Sequence, residues 1–444
     1  MAQRRFRRVA VTVLVASLLL PEAHAAVTGQ TPGEEGGPRL VSVAVDGKAA
    51  DGASFGPSIS ADGRYVAFAS SATTLVAGDS NGVEDVFVSD GLRGHTIRVS
   101  VSSAGVQGDA PSFGPSISAD GRYVAFASFA STLVADGPKG VLNIFRHDIV
   151  SGTTIMVSAA RDGTPADGPS MAPSISGDGH LVAFESDATN LVPGDHNATR
   201  DIFVRDITTA ETRRIDMASD GTETESPSFA AAISADGSAV AFESFSARLV
   251  PGDTNRSLDV FVAELPSGSI SRVSMASNGA QGNDRSSDPS INADGTVVAF
   301  TSFATNLDGA VRNPQLNVFL HQRTTGKTTR LSTGLGGADP DGCSFTPRIS
   351  ADGLTVVFAS DADNLVPGHP NGTRDVFLAD ATTGLIARLS ANPSGGQGNG
   401  PSFSPAINAA GDEVTFTSFA TNLDVDATNG RANVFLAGHH HRLG

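Results

Sequence analysis

Beyond its first 25 residues, this chain places its apolar residues in short bursts that alternate with polar ones, without the recurrence every three to four residues that marks a helix. One such burst, Tyr65-Val-Ala-Phe-Ala-Ser70, follows Pro57-Ser-Ile-Ser60 across the tetrad Ala-Asp-Gly-Arg. Asp-Gly accepts the positive φ of a tight turn, so the segment predicts a hairpin of two strands. A third strand is predicted at Asp85-Val-Phe-Val88, after a loop rich in Gly, Asp and Asn, and a fourth at Thr96-Ile-Arg-Val-Ser100. A crossing rich in Gly and Ser then leads to Pro115-Ser-Ile-Ser118, where the pattern starts again.

The Asp-Gly pairs at 62, 120, 178, 236, 294 and 352, followed by Ala410-Gly411, each lie 58 residues after the last. Seven units without insertion or deletion imply one supersecondary block repeated around a ring or along a stack. Four short strands per block predict an all-β, seven-bladed β-propeller. The last unit stops after its third strand, Asn433-Val-Phe-Leu436, while Arg39-Leu-Val-Ser-Val43 matches a fourth strand. The N-terminal strand is therefore expected to complete the last blade and close the ring, which removes open edges. Phe68, Phe126, Phe184, Phe242, Phe300, Phe358 and Phe416 recur in the second strand, and Phe87, Phe145, Phe203, Phe261, Phe319, Phe377 and Phe435 in the third. These 14 of 24 phenylalanines are the expected filling between blades.

The string Pro-Ser-Ile-Ser-Ala-Asp-Gly-Arg-Tyr-Val-Ala-Phe-Ala-Ser at 57–70, varied in every unit, resembles the WD40-like PD40 repeat of TolB-type propellers. Ile59 stands where that repeat usually has Trp, and Ala61 where it has Pro; the unit is also longer between its second and third strands. TolB typically has six blades and an additional N-terminal domain, for which this chain has no room. The resemblance implies an envelope or extracellular setting and protein contacts.

The first 25 residues differ in kind. Arg4, Arg5, Arg7 and Arg8 precede an apolar run from Val9 to Leu20, and Ala23-His24-Ala25 offers small residues for cleavage. A signal peptide over 1–25 is expected, with the propeller at 26–437 and a tail at 438–444. The run is too short for a permanent membrane span, so a secreted or periplasmic product is expected. The single cysteine, Cys343, allows no internal disulfide. The formal charge of -17 argues against a nucleic-acid partner, which would require clustered Lys and Arg.

The loop before the third strand holds the best metal-ligand pattern. It reads Asp79, Asn81 and Asp85 in the first unit, Asp195, Asn197 and Asp201 in the third, and Asp253, Asn255 and Asp259 in the fourth. Oxygen donors at positions 1, 3 and 7 suit calcium, the one cofactor the sequence suggests. The alternative is that Asp and Asn shape the turn. The other units favour that alternative, with Gly137 and Lys139, Val311 and Asn313, and His369 and Asn371 at the first two positions. Ser54, Ser112, Ser170, Ser228, Ser286, Ser344 and Ser402 recur in the crossing as expected hydrogen bonders between blades, because a nucleophile requires one activated copy, not seven. Ser60, Ser118, Ser176, Ser234, Asn292, Ser350 and Asn408 are expected to ring the central channel. Two clusters break the pattern: Asp284, Arg285 and Asp288, and Asp339, Asp341 and Cys343.

These features point to an exported, non-enzymatic binding or scaffolding propeller, expected to be a monomer that contacts protein or carbohydrate through its loops. A lyase or hydrolase working at the channel mouth, and a structural cell-surface component, are the alternatives.

Overall fold

The computed structural model describes residues 37–438 apart from 219, 266, 310–313 and 369–371. The expected signal peptide, the loop positions Val311, Asn313, His369 and Asn371, and the triplet His439, His440 and His441 lie outside the described residues. Seven antiparallel sheets of four strands form the blades of a propeller. In blade 1 the strands are Ser54–Ile59, Tyr65–Ser70, Asp85–Asp90 and His95–Arg98, paired in sequence order from the inner strand to the outer.

The ring closes as the strand count requires. Arg39–Leu40 pairs antiparallel with Asn433–Gly438, opposing Arg39 to Leu436 and Leu40 to Phe435, and the Val41 N–H donates to the Val434 carbonyl at 2.8 Å. The first blade-sized unit of sequence thus supplies the outer strand of the last blade.

The inner strand begins three residues earlier than the periodicity predicts, because it runs through a bulge. In blade 1 the register shifts between Phe55 and Ser58. The shift leaves Pro57, which has no N–H to donate, outside the ladder. Gly56 takes φ 57° there, and its counterparts Ala172, Ala230, Asp288, Thr346 and Ser404 hold positive φ without being glycine.

The fourteen repeated phenylalanines are buried in every blade. Phe68 lies opposite Phe87 in register with ring centroids 6.1 Å apart, and Phe126 with Phe145 and Phe184 with Phe203 repeat the stack. Each ring pair packs onto the small and β-branched residues of the preceding blade. Phe184 and Phe203, for instance, share a cluster with Ala125, Ala127, Ile144 and Val157. Seven such clusters lie between consecutive blades, the last joining Val434 and Leu436 to Phe68 and Phe87 across the closure. At about 1.5–3 kcal/mol for each buried ring, they are the main apolar contribution to holding the ring together.

Candidate functional site

One face of the propeller carries the loops from second to third strands and the crossings between blades; the other carries the hairpin turns. On the loop face each of the three Asp-Asn-Asp sets has an arginine from the outer strand between its acids. Arg98 Nη1 sits 2.9 Å from Asp79 Oδ1 and 3.2 Å from Asp85 Oδ2. Arg214 Nη1 repeats this with Asp195 and Asp201 at 3.1 and 3.3 Å, and Arg272 Nη1 with Asp253 and Asp259 at 3.0 and 3.6 Å. Asn81, Asn197 and Asn255 turn their amide nitrogens, not their oxygens, towards the second acid, and each also donates to the carbonyl of the next crossing. The cation between the acids is a guanidinium, and the asparagines act as donors to a carboxylate. Among the described residues no group of three or more His, Cys, Asp or Glu is arranged to hold a metal ion.

Blade 3 departs from the others in this layer. Ser42, Ser100, Ser158, Ser274, Ser332 and Ser390 each donate to the residue that opens the third strand, as Ser158 does to Asn143 Oδ1 at 2.9 Å. Asp216 takes that place in blade 3, fully buried beside Asp201. Burial and the neighbouring carboxylate raise its pKa to about 8, and burial raises Asp195 to about 6. Hydrogen bonds from the Ser228 hydroxyl and the Ile202 amide offset the rise at Asp216 in part, and protonated Asp216 donates to Asp201.

Two rows of small polar residues have other roles than expected. The Ser54 hydroxyl is buried and donates within its own blade, to Ser70 Oγ at 2.9 Å, and the six other copies pair likewise; the backbone amide reaches the preceding blade, donating to the Ala432 carbonyl, and in blade 4 the Ser228 hydroxyl also reaches Asp216 of blade 3. The Ser60 row does not line the channel. Ser60 Oγ is buried in the hairpin, donating to Asp62 at 2.6 Å and accepting from the Tyr65 amide.

The channel itself is asymmetric from end to end. At the turn face, seven backbone hydrogen bonds run from blade to blade: Ala61 to Ala119, Ala119 to Gly177, Gly177 to Ala235, Asp236 to Ala293, Ala293 to Ala351, Ala351 to Ala409, and Ala409 back to Ala61, at 2.8–3.2 Å. A Cβ placed on Gly177 would lie 3.4 Å from the Ala119 methyl, so methyls at neighbouring places of this ring stand at van der Waals distance, with the place at Gly177 unfilled. A heptagon of such contacts leaves a free radius of roughly 2 Å, which closes this end to anything much larger than water.

The loop face is aromatic. Ten phenylalanines lie outside the repeated pairs, and nine of them gather at the channel mouth: Phe55, Phe113, Phe229, Phe345 and Phe403 at the start of inner strands, and Phe129, Phe245, Phe303 and Phe419 just after second strands. Phe419 bridges blades 7 and 1, 6.0 Å from Phe403 and 6.5 Å from Phe55. Phe113 meets Phe129, and Phe229 meets Phe245. Arg285 lies over Phe303 at 4.4 Å and Arg374 over Phe345 at 4.0 Å. Phe129, Phe245 and Phe419 remain 37%, 50% and 41% exposed. The signal was present in the sequence as Phe at the residue after the second strand in four blades, but its meaning depended on which strand lay innermost.

Beneath this collar, blades 3 to 6 break the repeat. Glu185 and Glu243 replace the small residues of other blades and accept the strained bulge amides of Ala230 and Asp288, at 2.6 and 2.8 Å. Burial raises the Glu243 carboxyl to about 7. Asp288, singled out in the sequence, is therefore a bulge residue of the inner strand, while Arg285 belongs to the collar. The other cluster is dispersed: Asp339 pairs with Arg330, Asp341 accepts backbone amides of Asp363 and Asn364, and Cys343 Sγ donates to Gln315. In the channel wall, Ser58, Ser116, Ser174, Ala232, Ser290 and Ala406 share one level with Arg348. The Arg348 residue is exposed although its neighbours on the inner strand, Pro347 and Ile349, are buried, as suits a side chain turned into the channel.

No protein-family model matches the chain, and no curated protein matches it. Solved structures do. The chain is 20% identical to TolB from Acinetobacter baumannii, with a TM-score of 0.39 over 68% of this chain and 58% of that one. The chain is a seven-bladed β-propeller. An oligogalacturonate lyase from Vibrio parahaemolyticus gives 14% identity and a TM-score of 0.53, over 90% of this chain and 96% of that one. The β-propeller domain of the Trilobed protease from Pyrococcus furiosus gives 10% and 0.52, over 87% and 95%. That domain is described as having an open velcro topology, whereas here Arg39–Leu40 closes the ring. At these identities what is shared is the fold, and a fold common to so many roles leaves function to the site.

Proposed function

We propose that this chain is an exported, non-enzymatic binding propeller that holds a segment of a partner protein at the channel mouth of its loop face. The collar of nine phenylalanines carries the reading. Large apolar side chains gathered at one end of the channel, with Phe129, Phe245 and Phe419 exposed and arginines stacked on Phe303 and Phe345, have the make-up of a protein-binding centre. Phenylalanine brings no hydroxyl or indole N–H, so the collar suits apolar side chains better than the hydroxyl-rich rim of a sugar. The basic and apolar start of the chain supports export.

The enzymatic alternative has one feature in its favour, the Glu243 carboxyl that titrates near neutral pH inside the mouth. Its oxygen is engaged by the Asp288 amide, which supports a part in holding the bulge. A combined Phe129→Ala, Phe245→Ala and Phe419→Ala variant tests the binding reading. Peptides selected from a displayed library on the wild-type protein are expected to lose about tenfold or more in affinity for it, since interface aromatics commonly contribute over 1 kcal/mol each. Its melting temperature should change little, because these rings lie outside the core. Undiminished binding would reject the collar.

A further inference from the structure

Arg348 is the one charged residue at its level of the channel, where the other six blades have Ser or Ala. Its Nη1 donates to the Pro347 carbonyl at 2.8 Å, which turns the guanidinium back towards the mouth. No carboxylate of the described residues forms a salt bridge with it, and Asp288 on the adjacent inner strand is the acid that acts on it from further away. A guanidinium is a planar fork of five donors suited to a carboxylate, and this one is exposed without a salt-bridge partner among the described residues. Arg348 lies beyond the inner-strand bulge from Phe345 of the collar, opposite Val357 where Phe345 is opposite Ala359, a depth of about 7 Å at 3.3 Å per residue of the partner strand. The alanine ring closes the channel below it.

A channel closed at one end receives the end of a chain and not its middle. We propose that this blind channel binds the C-terminal end of an extended peptide, its terminal carboxylate on the Arg348 guanidinium and its last apolar side chains in the phenylalanine collar. The inference rests on the binding reading above and adds to it the direction of the bound chain and the group that is recognised. Ser58, Ser116, Ser174 and Ser290 fill the place of Arg348 in four other blades, so Arg348→Ser conserves the fold while removing the charge.

Two hexapeptide libraries, one with free C-terminal carboxylates and one with C-terminal amides, would be screened against the purified protein, Arg348→Ser and the triple collar variant. Carboxylate-ended peptides are expected to bind the wild type about tenfold or more tightly than the same sequences as amides, the scale of a charge-assisted bidentate contact. Arg348→Ser should abolish that difference and bind both forms at the amide level, and Asp288→Ser should strengthen binding of the carboxylate form. Equal affinity for amides and acids, or for wild type and Arg348→Ser, overturns the proposal; so does a selection in which only peptides with internal Asp or Glu respond to Arg348. Loss of binding in the collar variant alongside indifference to Arg348 would leave the collar standing and remove only the carboxylate. An Arg348-dependent affinity for uronic-acid oligosaccharides with no peptide selected would overturn the peptide as occupant.

Discussion

Asp216 stands where six other blades have serine, and the replacement exchanges a neutral donor for an acid that must keep its proton to do the same work. Its folded pKa of about 8 lies above the ordinary 3.8, so between those values the folded chain holds a proton that the unfolded chain has released. Stability is therefore full below pH 4 and falls as pH rises towards 8. Asp216→Ser restores the repeat and should raise the melting temperature at pH 8 while leaving it nearly unchanged at pH 4; coincident melting curves at pH 8 would remove the argument. Glu243 has the same sign over a narrower window, from about 4.5 to about 7. Threonine occupies the corresponding place at Thr301 and Thr417, and Thr417 Oγ1 accepts the bulge amide of Gly56. Glu243→Thr should accordingly flatten the pH dependence of stability across that window, measured by thermal melts at pH 4 and 8.

At the scale of the element, the loop before the third strand is a clamp built around an arginine of the outer strand. Arg98, Asp79 and Asp85 are all nearly inaccessible to water. Removing one partner of a buried ion pair leaves the other charges uncompensated and costs about 3–5 kcal/mol. Arg98→Met should lower the melting temperature well below that of Arg64→Met, whose partner pair with Asp90 lies nearer the surface. Should the two variants melt alike, the clamp is not the main contributor to that loop's stability. Calcium at millimolar concentration should not raise the wild-type melting temperature over that in chelator, because the guanidinium occupies the space between the acids. The donor spacing in the sequence was real, and the arginine that fills it was visible too, thirteen residues after the second acid as Arg98, Arg214 and Arg272. Spacing within a loop could not reveal that the outer strand returns to the same end of the blade and presents its arginine there.

For the whole molecule, the closure strand matters more than its length suggests. Arg39–Leu40 makes a short ladder, but Leu40 is buried between blades 6 and 7, Val41 is buried between blades 7 and 1, and the Ser42 hydroxyl donates to Asn433. Deleting residues 26–45 should lower the melting temperature markedly and promote association through the exposed edge of Asn433–Gly438. A truncated protein that melts like the intact one and remains monomeric would show that the ring holds without its latch.

What the sequence determined by itself was everything that repeats: the number of blades, the hairpin turns, the phenylalanine stacks and the closing strand. Each recurs at one interval, and local chemistry such as the positive φ of Asp-Gly sets it. What only the tertiary structure decided was everything that depends on neighbours far along the chain. Ser60 was legible as a recurrent hydroxyl, but the hairpin buries it against Asp62 and takes it out of the channel. Phe129 and Phe419 were legible as phenylalanines, but only the radial order of strands places them at the mouth. Arg348 became significant once six short side chains from six other blades surrounded it, because a single charge is conspicuous only against the low-dielectric wall that the closed ring creates.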